Sequence, residues 1–215
     1  MKNLVIGITF LSLLTILSGC VGDDPAELMY DQLETSVQIE NEMKSLQEPL
    51  VEAEKKEVQL YNDMASLSSL EEIEPLSQKA IESAETRRSM MEEEKKIIDN
   101  AFEAFQEAEQ YLEELEEDQA KEAGQTLIDI QNERKSVYEE LYTQYVKSID
   151  EDIKLFEMVV DEESHNDELE GQQEKVNESY ARITELSDEF NVLLNDFNEA
   201  KIVFYESVGF NVTTK

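Results

Sequence analysis

One cysteine, one histidine, no tryptophan, three prolines and six glycines are all that 215 residues supply of these types. A lone cysteine forms no internal disulfide, and it removes thiolate zinc sites and paired-cysteine redox chemistry. A lone histidine, His165, in an acidic stretch, gives no nucleophile a base, so hydrolytic catalysis is not expected. No glycine-rich phosphate loop is present, and no enzyme class is suggested. Basic residues are scarce too: 18 against 52 acidic ones, for a net charge of −34. Such a surface repels nucleic acid and anionic lipid headgroups, which excludes DNA or RNA as a partner.

Long apolar runs are also rare. The run from Leu4 to Leu17 follows the single charge of Lys2 and ends in Leu17-Ser18-Gly19-Cys20. It has the length of a signal-peptide core and is short for a membrane span. The final four residues resemble the lipobox of bacterial lipoproteins. In that pattern cleavage falls between Gly19 and Cys20, and the Cys20 thiol accepts diacylglycerol. Residues 1–19 are read as a lipoprotein signal peptide and 20–24 as a lipidated tether. A helical bundle domain follows over 25–209, and then a flexible tail over 210–215. The expected location is the outer face of the cytoplasmic membrane, facing the cell wall and held there by lipid.

What remains is rich in helix formers, with apolar residues spaced by threes and fours. Asp24-Pro25-Ala26-Glu27 is a helix start, with Asp24 as cap and Pro25 at the first helical position. The first stripe reads Met29, Leu33, Met43, Leu46, Leu50, Ala53, Leu60, Met64 and Leu67, with Pro49 expected to kink or divide the helix. Ser66 to Ser69 is a break. A second helix carries Leu76, Ala80, Met90, Ile97, Ala101, Phe105, Ala108, Leu112 and Leu115. The acidic stretch from Glu113 to Glu122 and Gly124 mark the next boundary, with Gly124 as a bend if the helix runs on. A third helix shows Leu127, Val137, Leu141, Tyr145, Ile149 and Phe156. After a break at Asp161 to Asp167, a fourth repeats Val176, Ile183, Phe190, Phe197 and Phe204 every seven residues. Ser164, Asn166 and Asp167 are its candidate caps, and Gly209 its stop. The pattern predicts an all-α, elongated, coiled-coil-like up-and-down four-helix bundle. Three long helices with one bent are the alternative.

These segments carry a resemblance to the YkyA-like cell-wall-binding lipoproteins of low-GC Gram-positive bacteria. It rests on Tyr30 to Glu34, Pro49 to Glu57, Leu60-Tyr61, Arg134 to Tyr138, Leu141-Tyr142 and Tyr145. Val176-Asn177, Tyr180, Phe190-Asn191, Phe197-Asn198 and Phe204-Tyr205 add to it. The resemblance implies a helical bundle and wall binding, and it transfers no functional residue beyond Cys20.

Two side-chain rows could meet a ligand. Tyr138, Tyr142 and Tyr145 share one side of the third helix and suit either core packing or stacking on sugar rings. Asn177, Asn191 and Asn198 share one heptad position, where amides suit either glycan or a neighbouring helix. Glu113, Glu114, Glu116, Glu117 and Asp118 suit a solvated face or loose Ca²⁺ or Mg²⁺ association, without the loop of a dedicated site; no cofactor is implied. Peptidoglycan, teichoic acid bridged by cations, or another envelope protein using the chain as a scaffold are the partners this leaves.

Overall fold

A computed structural model describes residues 24–212, all helix and connecting turns. The signal segment 1–19, Cys20 and residues 213–215 lie outside the described residues. Five α-helices follow in order: α1 (Pro25–Glu40), α2 (Lys44–Ala65), α3 (Leu70–Glu109), α4 (Asp118–Val160) and α5 (Asn166–Ser207). Asn41–Met43 form a 3-10 turn between α1 and α2, and Leu112–Glu114 another between α3 and α4. With α1 and α2 taken as one interrupted rod, these are the four helices expected.

The ends follow local chemistry. Asp24 caps α1 by accepting from the Ala26 N–H at 3.0 Å, and Pro25 occupies the first turn, where its missing N–H costs nothing. The α5 start is capped differently from expectation. None of Ser164, Asn166 or Asp167 takes the cap; His165 precedes the helix, and its backbone N–H donates to Glu168 Oε2 at 3.0 Å. At the far end Gly209 has φ +83, the Phe210 N–H reaches Tyr205 O, and the Gly209 N–H reaches Glu206 O. That double bond over a left-handed glycine is the Schellman stop.

Two expectations are corrected. Pro49 does not divide the first rod: it is exposed inside α2, and the interruption falls at Asn41. There the Asn41 amide donates to Val37 O at 2.9 Å, a side-chain bond that competes with the regular backbone ladder. Gly124 is no boundary or bend; it lies inside α4, and the chain turns between Glu109 and Asp118 instead. A Cβ at Gly124 would meet Leu112 Cδ1 at 2.5 Å, so this glycine serves close packing, not turning. Beyond Gly209, the Phe210 ring lies 5.4 Å from Tyr30, and Val212 packs on the same core.

The stretch read as one helical domain resolves into two compact units. Unit 1 comprises Met43–Lys96 and Glu139–Ser187; unit 2 comprises Ile97–Tyr138 with residues 24–42 and 188–212. Each holds four helical segments. In unit 2, Met29 and Leu33 from α1 meet Phe105 and Ala108 from α3, Leu127 from α4, and Phe197 and Phe204 from α5. Each large side chain buried there contributes about 1.5–3 kcal/mol. In unit 1, Leu60 and Met64 from α2 pack with Ile73 and Ala80 from α3 and Phe156 from α4. Further along unit 1, buried apolar residues such as Met91, Leu141, Ile149 and Ile183 are joined by buried charged ones.

Candidate functional site

The charged interior of unit 1 begins with a heptad position. On α3, Ala80, Arg87, Glu94, Ala101 and Ala108 recur every seven residues and are all buried. Packing therefore carries the Arg87 side chain inside, where its exposure is 0%. Three carboxylates converge on it. Asp152 Oδ2 on α4 lies 2.6 Å from Nη2, Glu57 Oε2 on α2 lies 3.0 Å from the same nitrogen, and Glu54 Oε1 lies 3.7 Å from Nη1. The Tyr180 hydroxyl on α5 accepts from Nη1 at 2.6 Å and donates to Asp152 Oδ2 at 2.7 Å. The Tyr145 hydroxyl on α4 donates to Glu54.

Burial pushes Tyr145 and Tyr180 well above the usual phenol range, against the nearby Arg87 charge, so both keep their protons and act as donors. Burial likewise raises Asp152, with Arg87 opposing. Glu57 is raised to about 7, first by burial, with Arg87 and Ser83 opposing and Asp152 and Glu54 adding. The cluster thus ties together all four helical segments of unit 1.

Unit 2 has smaller counterparts. Arg134 grips Glu40 through both guanidinium nitrogens, with Nη1 to Oε2 at 3.0 Å, and stands 4.8 Å from the Phe190 ring centre. Lys201 Nζ and the Tyr205 hydroxyl both reach Glu34 Oε1, at 3.1 and 2.7 Å.

The residues singled out from sequence are dispersed. Tyr138 is buried in unit 2 with its ring 5.8 Å from Phe190, and Tyr145 belongs to the Arg87 cluster. Neither ring offers a face to a sugar, because both occupy heptad core positions. Tyr142 is half-buried, with Lys95 Nζ 5.9 Å from its ring centre. Asn177 is exposed on unit 1; Asn191 and Asn198 are half-buried on unit 2. His165 is exposed at the α5 start. Glu113, Glu114, Glu116, Glu117 and Asp118 are exposed around the α3–α4 turn. Among the described residues no three His, Cys, Asp or Glu side chains converge as a metal site would need. Gly19 and Cys20 lie outside the described residues.

Sequence reasoning passed over two further features. The buried ions are the first, and their signal was a charge standing where a stripe demanded an apolar residue. The second is a shallow groove of about 290 Å³ along α4 and α5 of unit 1. Its lining is Gln144, Lys147, Glu151, Lys175, Glu178, Ser179 and Arg182. Three cations there face two carboxylates, and the amide and hydroxyl add hydrogen-bonding capacity. Among the described residues no helix is long and apolar enough to cross a membrane.

Comparison with known proteins places this architecture. A family described as "Putative cell-wall binding lipoprotein", YkyA, matches residues 24–207. An uncharacterized lipoprotein of Bacillus subtilis strain 168, YkyA, is 30% identical over 205 residues, covering 94% of this chain and 92% of that protein. A crystal structure of a conserved Staphylococcus aureus protein of unknown function superposes with a TM-score of 0.56 at 15% identity. That match covers 86% of this chain and 98% of the other, and it supports the fold alone. With one family model spanning the helices from the α1 cap to the end of α5, the chain belongs to the YkyA family of lipoproteins.

Proposed function

We propose that this protein is a lipid-anchored extracytoplasmic lipoprotein that holds its helical units at the membrane surface and contacts the cell wall. One observation carries the reading: the lipobox cysteine, Cys20, stands four residues before the capped start of α1 at Asp24. Four residues of extended chain reach roughly 14 Å. The fold therefore begins almost at the lipid, and acyl chains on Cys20 hold it there.

The family description supports wall contact, and the α4–α5 groove offers a place for it. Lys147, Lys175 and Arg182 suit phosphate or carboxylate groups, and Gln144 and Ser179 suit hydroxyls. Long-range repulsion from the net charge of −34 opposes a polyanion, so divalent cations favour the encounter.

Fractionation tests the anchor. Cys20→Ala should leave the protein unprocessed or release it from membranes; normal processing with full membrane retention rejects the lipoprotein reading. Co-sedimentation tests the wall contact, using purified wall with and without teichoic acid, in magnesium or in chelator. Binding that needs both teichoic acid and magnesium supports a cation-bridged contact. Binding to bare peptidoglycan supports glycan recognition. Binding to neither rejects the wall and turns the search to an envelope protein.

A further inference from the structure

The Arg87 cluster contains more acid than its guanidinium can satisfy. Arg87 carries one positive charge, and three carboxylates lie within 4 Å of it. They are not equally provided for. Asp152 Oδ2 accepts from both Arg87 Nη2 and the Tyr180 hydroxyl. Glu54 accepts from the Tyr145 hydroxyl and keeps 23% of its side chain in solvent. Glu57 has neither advantage. Its Oε2 shares Nη2 with Asp152, its Oε1 is buried without a hydrogen-bond partner, and its side chain is 4% exposed.

The sequence explains why it is there. Leu50, Glu57 and Met64 recur every seven residues on the buried side of α2, so Glu57 fills a core position. An ionised carboxylate in such a place loses hydration that one shared guanidinium nitrogen and the Ser83 hydroxyl do not fully replace. The group that relieves the cluster at least cost is a proton on Glu57.

We propose that Glu57 is the proton-carrying member of this cluster, and that gain or loss of its proton tightens or loosens the packing of α2 in unit 1. The facing groups are Glu54 on α2 itself, Ser83 and Arg87 on α3, Asp152 and Tyr145 on α4, and Tyr180 on α5. Arg87 and Ser83 favour ionisation; burial and the two neighbouring carboxylates oppose it, and the balance sets Glu57 at about 7 in place of 4.5. The folded chain thus binds a proton between pH 4.5 and about 7 that the unfolded chain releases. The stabilisation is fully present below the unfolded value and is lost as pH rises through the folded one. Unit 1 is a clasp that closes on mild acidification and slackens above neutrality.

Amide hydrogen exchange on the full chain tests this, with rates corrected for intrinsic pH dependence. Amides of α2 around Glu57 should lose about tenfold in protection between pH 6 and pH 8. Glu57→Gln, which holds the neutral form permanently, should keep the higher protection at both. Equal protection of the natural protein at the two pH values overturns the proposal, as does an undiminished pH dependence in Glu57→Gln. Should that variant not fold, carbon-13 NMR of the glutamate carboxyls in the natural protein decides. One carboxyl titrating near neutrality supports the clasp, and all of them titrating below pH 6 rejects it.

Discussion

Arg87 and Asp152, 65 residues apart in sequence, face each other across 2.6 Å with Arg87 wholly out of solvent. This contact joins α3 to α4 in the interior of unit 1, and Tyr180 from α5 closes it into a triangle. A guanidinium suits the place because its planar fork serves several acceptors at once. Directional bonds of this kind specify which residues face one another, where an all-apolar seam would tolerate a slip.

Removing one partner from such a cluster should be costly. Arg87→Met strips the guanidinium from three carboxylates, two of them deeply buried, and the expected loss is about 3–5 kcal/mol. Urea unfolding monitored in unit 1 measures it. Arg87→Lys keeps the charge but loses the fork, and should recover only part of that stability. The loss should shrink at acid pH, where the stranded carboxylates take up protons.

Two glycines inside helices should answer alanine and valine in opposite ways. Gly171, exposed in α5, has no neighbour within 4 Å of a built Cβ. Gly171→Ala should stabilise by about 0.5–1 kcal/mol through helix propensity alone. Gly124 in α4 faces Leu112 Cδ1 at 2.5 Å and Met29 and Phe204 just beyond. Gly124→Val should destabilise by about 1–3 kcal/mol, because a branched side chain must displace the Leu112 end and crowd two further core residues. Thermal melts of the two variants beside the natural chain give the comparison.

The apolar heptad of α5 was legible from Ile183 onward. Ile183, Phe190, Phe197 and Phe204 are buried, whereas Val176 at the head of the repeat is half-buried. The α2–α3 and α4–α5 turns fall at the breaks read at Ser66 to Ser69 and Asp161 to Asp167. On α3 the reading slipped by one residue: Met91 and Ile98 are buried, whereas Met90 and Ile97 are half-buried. The cause is physical. Arg87 and Glu94 occupy the buried stripe, and a search for apolar side chains steps around them. The same blindness hid the cluster itself. Hydropathy scores a residue alone, whereas a buried ion is acceptable only with its partner, and that partner lies far off in sequence.

Hydroxyl contacts between helices should matter in each unit separately. Ser36 Oγ on α1 donates to Ala101 O on α3 at 2.7 Å, and Ser77 Oγ on α3 donates to Phe156 O on α4 at the same distance. Both carbonyls belong to helix backbones already bonded along their own ladders. Each alanine variant should therefore cost only about 1 kcal/mol. Having no shared partner, the two losses should add in the double variant. Denaturant midpoints of the three variants measure this.

Arg134 and Glu40 allow the value of a buried pair to be separated from the cost of breaking it. Arg134 is 1% exposed at the side chain and holds Glu40 with two bonds, while Gln131 accepts a third at 3.1 Å. Its guanidinium also stands over Phe190 at 4.8 Å and Phe197 at 5.5 Å. Glu40→Leu alone leaves a buried cation with an amide and two rings, and Arg134→Met alone leaves a carboxylate at the α1 end without its partner. Each single change should cost about 3–5 kcal/mol. The double variant Glu40→Leu with Arg134→Met removes both charges and keeps the volume, so it should lie within about 2 kcal/mol of the natural chain. Urea titrations of the four proteins close this cycle. A double variant as weak as either single one would mean that the cation over the two phenyl rings contributes more than the ion pair does.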